Sequence, residues 1–145
     1  MAGWNPWAAA RAVPHLEIWF ADVPDGATWH REEDADHITI DARATRRERR
    51  ALLAHELVHV ERGIGYPAAT PATMQREEAI VRREVAARLV PPDALEDLVA
   101  RRSDVEPVTA LVVAEEFDVP EDVAREALLA LGQRGPTGLR SSRPA

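Results

Sequence analysis

The sequence predicts an α+β domain in which a small antiparallel or mixed sheet precedes a helical core. Three observations carry this. Short segments rich in β-branched and aromatic residues are confined to the first third of the chain. Helix-capping signals and Gly or Pro stops dominate from Thr45 onward. No internal repeat and no sustained heptad pattern suggests an alternative architecture, and strands followed by runs of helices are the order of an α+β fold.

After a segment containing Trp4 and Trp7, His15 to Phe20 (HLEIWF) reads as a strand. Pro24-Asp25-Gly26 supplies a turn. A short extended piece over Ala27 to His30, an acidic turn from Glu32 to Asp36 and the alternating His37 to Asp41 complete the sheet. Thr45 and Glu48 have the spacing of a capping box, so a helix is expected over 46–62, with Gly63 as its C-terminal cap.

A loop is expected from Tyr66 to Thr73, then a helix over about 74–90 that ends at Pro91-Pro92, because proline cannot continue a helix. Shorter helices follow near Asp93 to Arg101 and Pro107 to Phe117. Asp118 to Glu121 has the form of a cap for a last helix, Pro120 to Leu131, which Gly132 stops. Residues 1–132 form one domain on this reading, and 133–145 a loose tail.

A chain of 145 residues with 46% hydrophobic and 30% charged residues suits one soluble globular unit. A net charge of -7 argues against a dominant nucleic-acid surface, which needs concentrated Lys or Arg. With no cysteine, disulfides, thiolate nucleophiles and Cys-type metal sites are excluded, and any metal must be held by His, Asp or Glu. No stretch approaches the roughly 20 apolar residues of a membrane span, and no basic segment leads into an apolar run, so the cytoplasm is the expected location.

The segment His55-Glu56-Leu57-Val58-His59 carries the chemistry. Residues four apart on a helix share a side, so His55 and His59 can direct ring nitrogens to a common point, the geometry that zinc requires. Glu56, rotated by about 100°, lies beside that point as a general base. Leu53, Leu57, Val60 and Ile64 form an apolar stripe on the opposite side. Two histidines and a glutamate on a solvated helix face are the bland alternative, but HExxH inside a well-capped helix is uncommon by chance.

A catalytic zinc takes three protein ligands and an open position, so one ligand is missing. His15, His30 and His37 fall in the sheet region, and no histidine follows HELVH at the spacing of a longer zinc motif. In the helix from Met74 to Val90, Glu78 falls on the stripe of Val81, Val85 and Leu89, while Glu77 points with Glu84 toward solvent. A carboxylate on an apolar stripe needs a cation, which selects Glu78 as third metal ligand. The alternative is an interfacial ion pair with one of the arginines. Tyr66, the only tyrosine, is more readily a structural residue than a donor to an oxyanion. The same donor set tolerates Mn2+ or Fe2+ in place of Zn2+.

On these residues the sequence resembles the ImmA/IrrE family of zinc-dependent regulatory peptidases, over most of the chain. The resemblance rests on WNPW at Trp4 to Trp7, PHLEIWF, ITIDARATRRERRALLAHELVHVERG, EEAIVRREVAARLVPPDAL and AEEFDVPEDVAREALLALG. It implies a zincin-like core, with Glu78, in Glu78-Ala79-Ile80-Val81, as the third ligand after His55 and His59. Arg82 departs from the Asp or Asn often found at that place. It further implies a zinc metalloendopeptidase whose protein substrate is a helix-turn-helix transcriptional repressor. By analogy, the strand ending at Ile40 would offer its edge to an extended substrate.

Two other functional classes compete with this reading. The run Leu111 to Leu131, with a break at Phe117 to Pro120, resembles a helix-turn-helix, but Glu121, Asp122 and Glu126 against the single Arg125 make a poor phosphate surface. Direct nucleic-acid binding is therefore not expected. A non-catalytic module with a metal-stabilised fold is the second, and Glu56 speaks against it, since a closed structural site has no use for a neighbouring base. The runs Arg46 to Arg50 and Arg82-Arg83 read as solvated helix faces, and the four tryptophans as core or interface anchors.

Overall fold

Asn5 and Pro6 start the chain on a helix that the residue pattern alone left unassigned. The Asn5 side chain accepts from the Trp7 and Ala8 backbone amides at 2.9 and 3.3 Å, and Pro6 presets the first helical φ. The computed structural model describes residues 3–63, 70–102 and 104–134. Along them run α1 (Pro6–Arg11), β1 (Leu16–Ala21), β2 (Ala27–Glu32), β3 (Ala35–Asp41), α2 (Arg46–Arg62), α3 (Pro71–Leu89), α4 (Pro92–Arg102), α5 (Ala110–Phe117) and α6 (Glu121–Arg134). The order is sheet first and helices after, the expected α+β arrangement.

The sheet is mixed, with strand order β1-β3-β2. β3 runs parallel to β1 and antiparallel to β2, so His37 stands opposite both Glu17 and His30. The acidic turn is shorter than expected. Glu32 pairs with Ala35 and Arg31 with Asp36, which leaves Glu33 and Asp34 at the tip and puts Glu33 at a left-handed φ of 53°. A cross-strand ion pair explains the extension: the Arg31 Nε donates to Asp36 Oδ1 at 2.9 Å.

β3 alternates buried and half-buried residues, and its Ile38 and Ile40 are fully buried against α2. The turn before β2 also rests on α2. Gly26 has a φ of 97°, a conformation that calls for glycine, and a Cβ at this position would come within 2.8 Å of a Leu52 methyl, which would have to shift.

α2 has the expected bounds. Thr45 Oγ1 accepts from the Glu48 amide, the Glu48 carboxylate accepts from the Thr45 amide, and Gly63 ends the helix at a φ of 65°. Its burial is broader than the single stripe read from sequence. Leu53 and Leu57 face the sheet core with Ala10, Ile38 and Ile40. Ala51, Ala54 and Val58, on another side, face a second core formed with α3 to α6, which includes Val81, Val85, Leu95 and Val113. Ile64, the last member of the stripe, lies outside the described residues. α2 is thus the wall between two apolar clusters, and small residues at 51 and 54 allow the helices to approach.

Three helix boundaries differ from expectation by three residues. α5 begins at Ala110 rather than Pro107, because Thr109 caps it, accepting from the Val112 amide at 3.4 Å. α3 begins at Pro71 rather than Met74, because Thr70 caps it, accepting from the Thr73 amide at 3.2 Å, with Pro71 following as a preset first residue. α6 runs through Gly132 to Arg134: a lone glycine costs about 1 kcal/mol of helix propensity, too little to end a helix already packed on one side. Residues 135–145 of the expected tail lie outside the described residues.

Asp118 does not cap α6. It ends α5 at a left-handed φ of 55°, and its carboxylate takes Arg46 and Arg47 at 3.2 and 2.9 Å. Arg50 Nη1 donates to the carbonyls of Phe117 and Asp118 at 3.0 and 2.9 Å. The arginine run read as a solvated face therefore ties the start of α2 to the corner between α5 and α6.

Candidate metal centre

α2 and α3 bring three donors together. His55 and His59, one turn apart, hold their Nε2 atoms 3.2 Å from each other. Glu78 reaches across from α3, with Oε2 3.1 Å from His55 Nε2 and Oε1 2.8 Å from His59 Nε2. A tetrahedral zinc with arms of about 2.0–2.1 Å has donor-to-donor edges of about 3.3–3.4 Å, close to these separations. Three lone-pair donors at such distances repel one another unless a cation or proton lies among them. The donor set and its spacing therefore fit a zinc ion.

The protonation tendencies agree. Burial lowers the pKa of His55, helped by nearby His59 and Arg82 and opposed by Glu78, which favours the neutral, ligating imidazole. Glu56 is buried, and no ion pair among the described residues neutralises it. Burial first, and the nearby Glu78 second, push its carboxyl up to about 7.

Glu77 and Glu78 exchange the surroundings expected of them. Glu77, expected to face solvent, is only 7% exposed and is held in a two-pronged pair by Arg62 of α2. The Arg62 hydrogen bonds keep its carboxyl below the usual range against the opposing effect of burial. Glu78 is instead half-exposed at the edge of the buried row of Val81, Val85 and Leu89. The row facing α2 passes through Glu77, four residues before Val81, and the matching cation is the arginine at the end of α2. Glu84, as expected, is exposed, and it pairs with Arg88 at 3.1 Å.

Trp29 is a site residue that the sequence reading missed. Its indole stacks on the His59 ring at a centroid distance of 6.5 Å, and its Nε1 donates to Asp36 Oδ1 at 2.9 Å. The sequence predicts an extended piece over Ala27 to His30, but nothing in it says which face turns toward α2. Tyr66 lies outside the described residues.

The three donors open on a cleft of about 1300 Å³. One wall is formed by residues 24–31, including β2, and the other by α3 and the start of α6, with α2 between them. β3 pairs on both sides and has no free edge, which corrects the expectation for the strand ending at Ile40. The edge that borders the cleft belongs to β2. Asp122, Val123 and Glu126 line this cleft too, so the start of α6 forms part of its rim.

No helix among the described residues is long and apolar enough to cross a membrane. No curated protein matches the sequence. The family model of the IrrE N-terminal-like domain matches residues 14–129, from just before β1 to within the last turns of α6. The chain belongs to this IrrE N-terminal-like family of peptidases, and its function is of the metallopeptidase type.

Proposed function

We propose that this chain is a zinc metalloendopeptidase acting in the cytoplasm on a helix-turn-helix repressor-type regulatory protein. The observation that carries the reading is the convergence of His55, His59 and Glu78, with donor atoms 2.8–3.2 Å apart, beside the buried Glu56. His55, His59 and Glu78 would hold the ion. Zinc, when bound, supplies Lewis acidity toward a water and a carbonyl oxygen.

The protein's own groups do the rest. Glu56 takes the proton of the attacking water and passes it to the leaving amine, the same carboxyl serving first as base and then as acid. Trp29 and Glu78 hold His59 from two sides. An extended substrate adds to the free edge of β2, which aligns its backbone along the cleft through main-chain hydrogen bonds. Such binding requires a locally unfolded segment, and a linker between the domains of a regulator provides one.

The test is metal content by mass spectrometry of the wild-type protein, His59→Ala and Glu78→Ala, together with cleavage of a peptide library and a panel of helix-turn-helix repressors. About one zinc per chain, lost in both variants, with new termini produced by wild type and not by Glu56→Gln, supports the proposal. Bound zinc without cleavage of any peptide would favour the non-catalytic module. Cleavage of library peptides but of no repressor would overturn the substrate class alone.

A further inference from the structure

A second group of side chains of metal-ligand type lies on the face of the sheet turned away from α2. The register puts it there. His30 on β2 stands directly opposite His37 on β3, Glu17 on β1 stands opposite His37 from the other side, and Glu32 is two residues along from His30. All four therefore share one face, since cross-strand partners and alternate residues lie on the same side of a sheet. Ile38 and Ile40, their alternates on β3, point the other way into the core beside α2.

The rings of His30 and His37 lie nearly parallel, at an interplanar angle of 10° and a centroid distance of 5.0 Å. One ligand atom from each of His30, Glu32 and His37 falls within 4.8 Å of the others. His37 is also oriented. Its Nδ1 lies 3.2 Å from Glu17 Oε2, and the same oxygen accepts from Trp19 Nε1 at 3.2 Å. A carboxylate on Nδ1 fixes the tautomer with Nε2 free, the arrangement found behind ligating histidines.

We propose that His30, His37 and Glu32 form a second site for a divalent transition metal, with Glu17 positioning His37. Two imidazoles and a carboxylate select borderline ions such as Zn2+ over Ca2+ or Mg2+. The donors must close by up to about 1.5 Å to reach the edge length of a tetrahedral site, which the exposed side chains of His30 and Glu32 permit. The site is therefore weaker than the cleft site and open to solvent on its remaining positions. It does not depend on the proposed peptidase chemistry.

Calorimetric titration of the metal-free full chain with Zn2+ tests this, comparing wild type with His30→Ala/His37→Ala. The readout is the difference in stoichiometry, so it holds whether or not the cleft site fills. One fewer Zn2+ per chain in the double variant, with unchanged circular dichroism, is the expected result, and equal stoichiometry overturns the proposal. Glu17→Gln is expected to keep the stoichiometry and weaken this site by about tenfold. If the double variant misfolds, the imidazole C–H resonances of the wild-type protein decide: saturable shifts of His30 and His37 support the site, and shifts confined to His55 and His59 overturn it.

Discussion

The indole of Trp29 lies against the ring of His59 while its Nε1 donates to Asp36 Oδ1 at 2.9 Å, so one strand residue links the sheet to the candidate metal centre. Asp36 is itself held by Arg31 through both carboxylate oxygens. The strand hairpin thereby sets the position of a helix histidine. Trp29→Ala is expected to weaken zinc binding by about tenfold, as loss of an outer support does. Trp29→Phe keeps a stacking ring and loses only the hydrogen bond, so its affinity should fall between the two. Competition with a chromophoric chelator reads both, and wild-type affinity in Trp29→Ala would remove Trp29 from the site.

Glu56→Gln removes a base and leaves the three donors in place. Cleavage is expected to fall by about 10²–10⁴-fold, the usual contribution of a general base, at unchanged zinc content. Initial rates on one cleaved peptide measure it. Retained activity would assign proton transfer to another group.

Stripping the metal should leave the chain folded but less stable. Both apolar clusters are built from residues other than the donors, so the apo protein keeps its helices. Zinc at a thousandfold over its Kd adds about 4 kcal/mol. For a chain of this size that is on the order of 10 °C in Tm. Scanning calorimetry with and without a chelator checks it, and an unchanged Tm would argue against zinc as a native-state ligand.

Glu77 makes an acid-sensitive contribution. Its hydrogen bonds to Arg62 lower its folded pKa below the ordinary 4.5. A depressed pKa stabilises the fold above the unfolded value, and that stabilisation is lost as pH falls through the folded value. The stability difference between wild type and Glu77→Gln should therefore be constant near neutral pH and shrink below about pH 4.5. Urea midpoints across pH 3–7 measure it, and a difference that persists at low pH would show that charge is not the source.

Arg50 joins α2 to the α5–α6 corner through two backbone carbonyls. Arg50→Ala is expected to destabilise by about 1.5–3 kcal/mol, the range for hydrogen bonds with a charged partner. Because residues 120–126 of that corner rim the cleft, peptide KM should rise with it. Denaturant melts and steady-state kinetics test the two effects separately.

Much of the fold and part of the site were legible in local chemistry. Thr45, Glu48 and Gly63 bound the HExxH helix because caps satisfy backbone groups within a few residues. The four-residue spacing of His55 and His59 was enough to place them on one side, since helix periodicity is a local property. Asn5-Pro6 and Thr70-Pro71 carry equally local cap signals at the starts of α1 and α3, but the sequence reading passes over both, leaving α1 unassigned and starting α3 at Met74.

What the sequence by itself determined was the sheet-then-helices order, the HExxH helix and the chemistry of its residues. Only the tertiary structure decided that Glu77 is buried on Arg62, that Glu78 meets both histidines, that Trp29 supports His59 and that β2, not β3, borders the cleft. Periodicity tells which residues share a face. It does not tell which element that face meets, because the rotation of α3 against α2 and the pairing of strands follow from packing between residues distant in sequence.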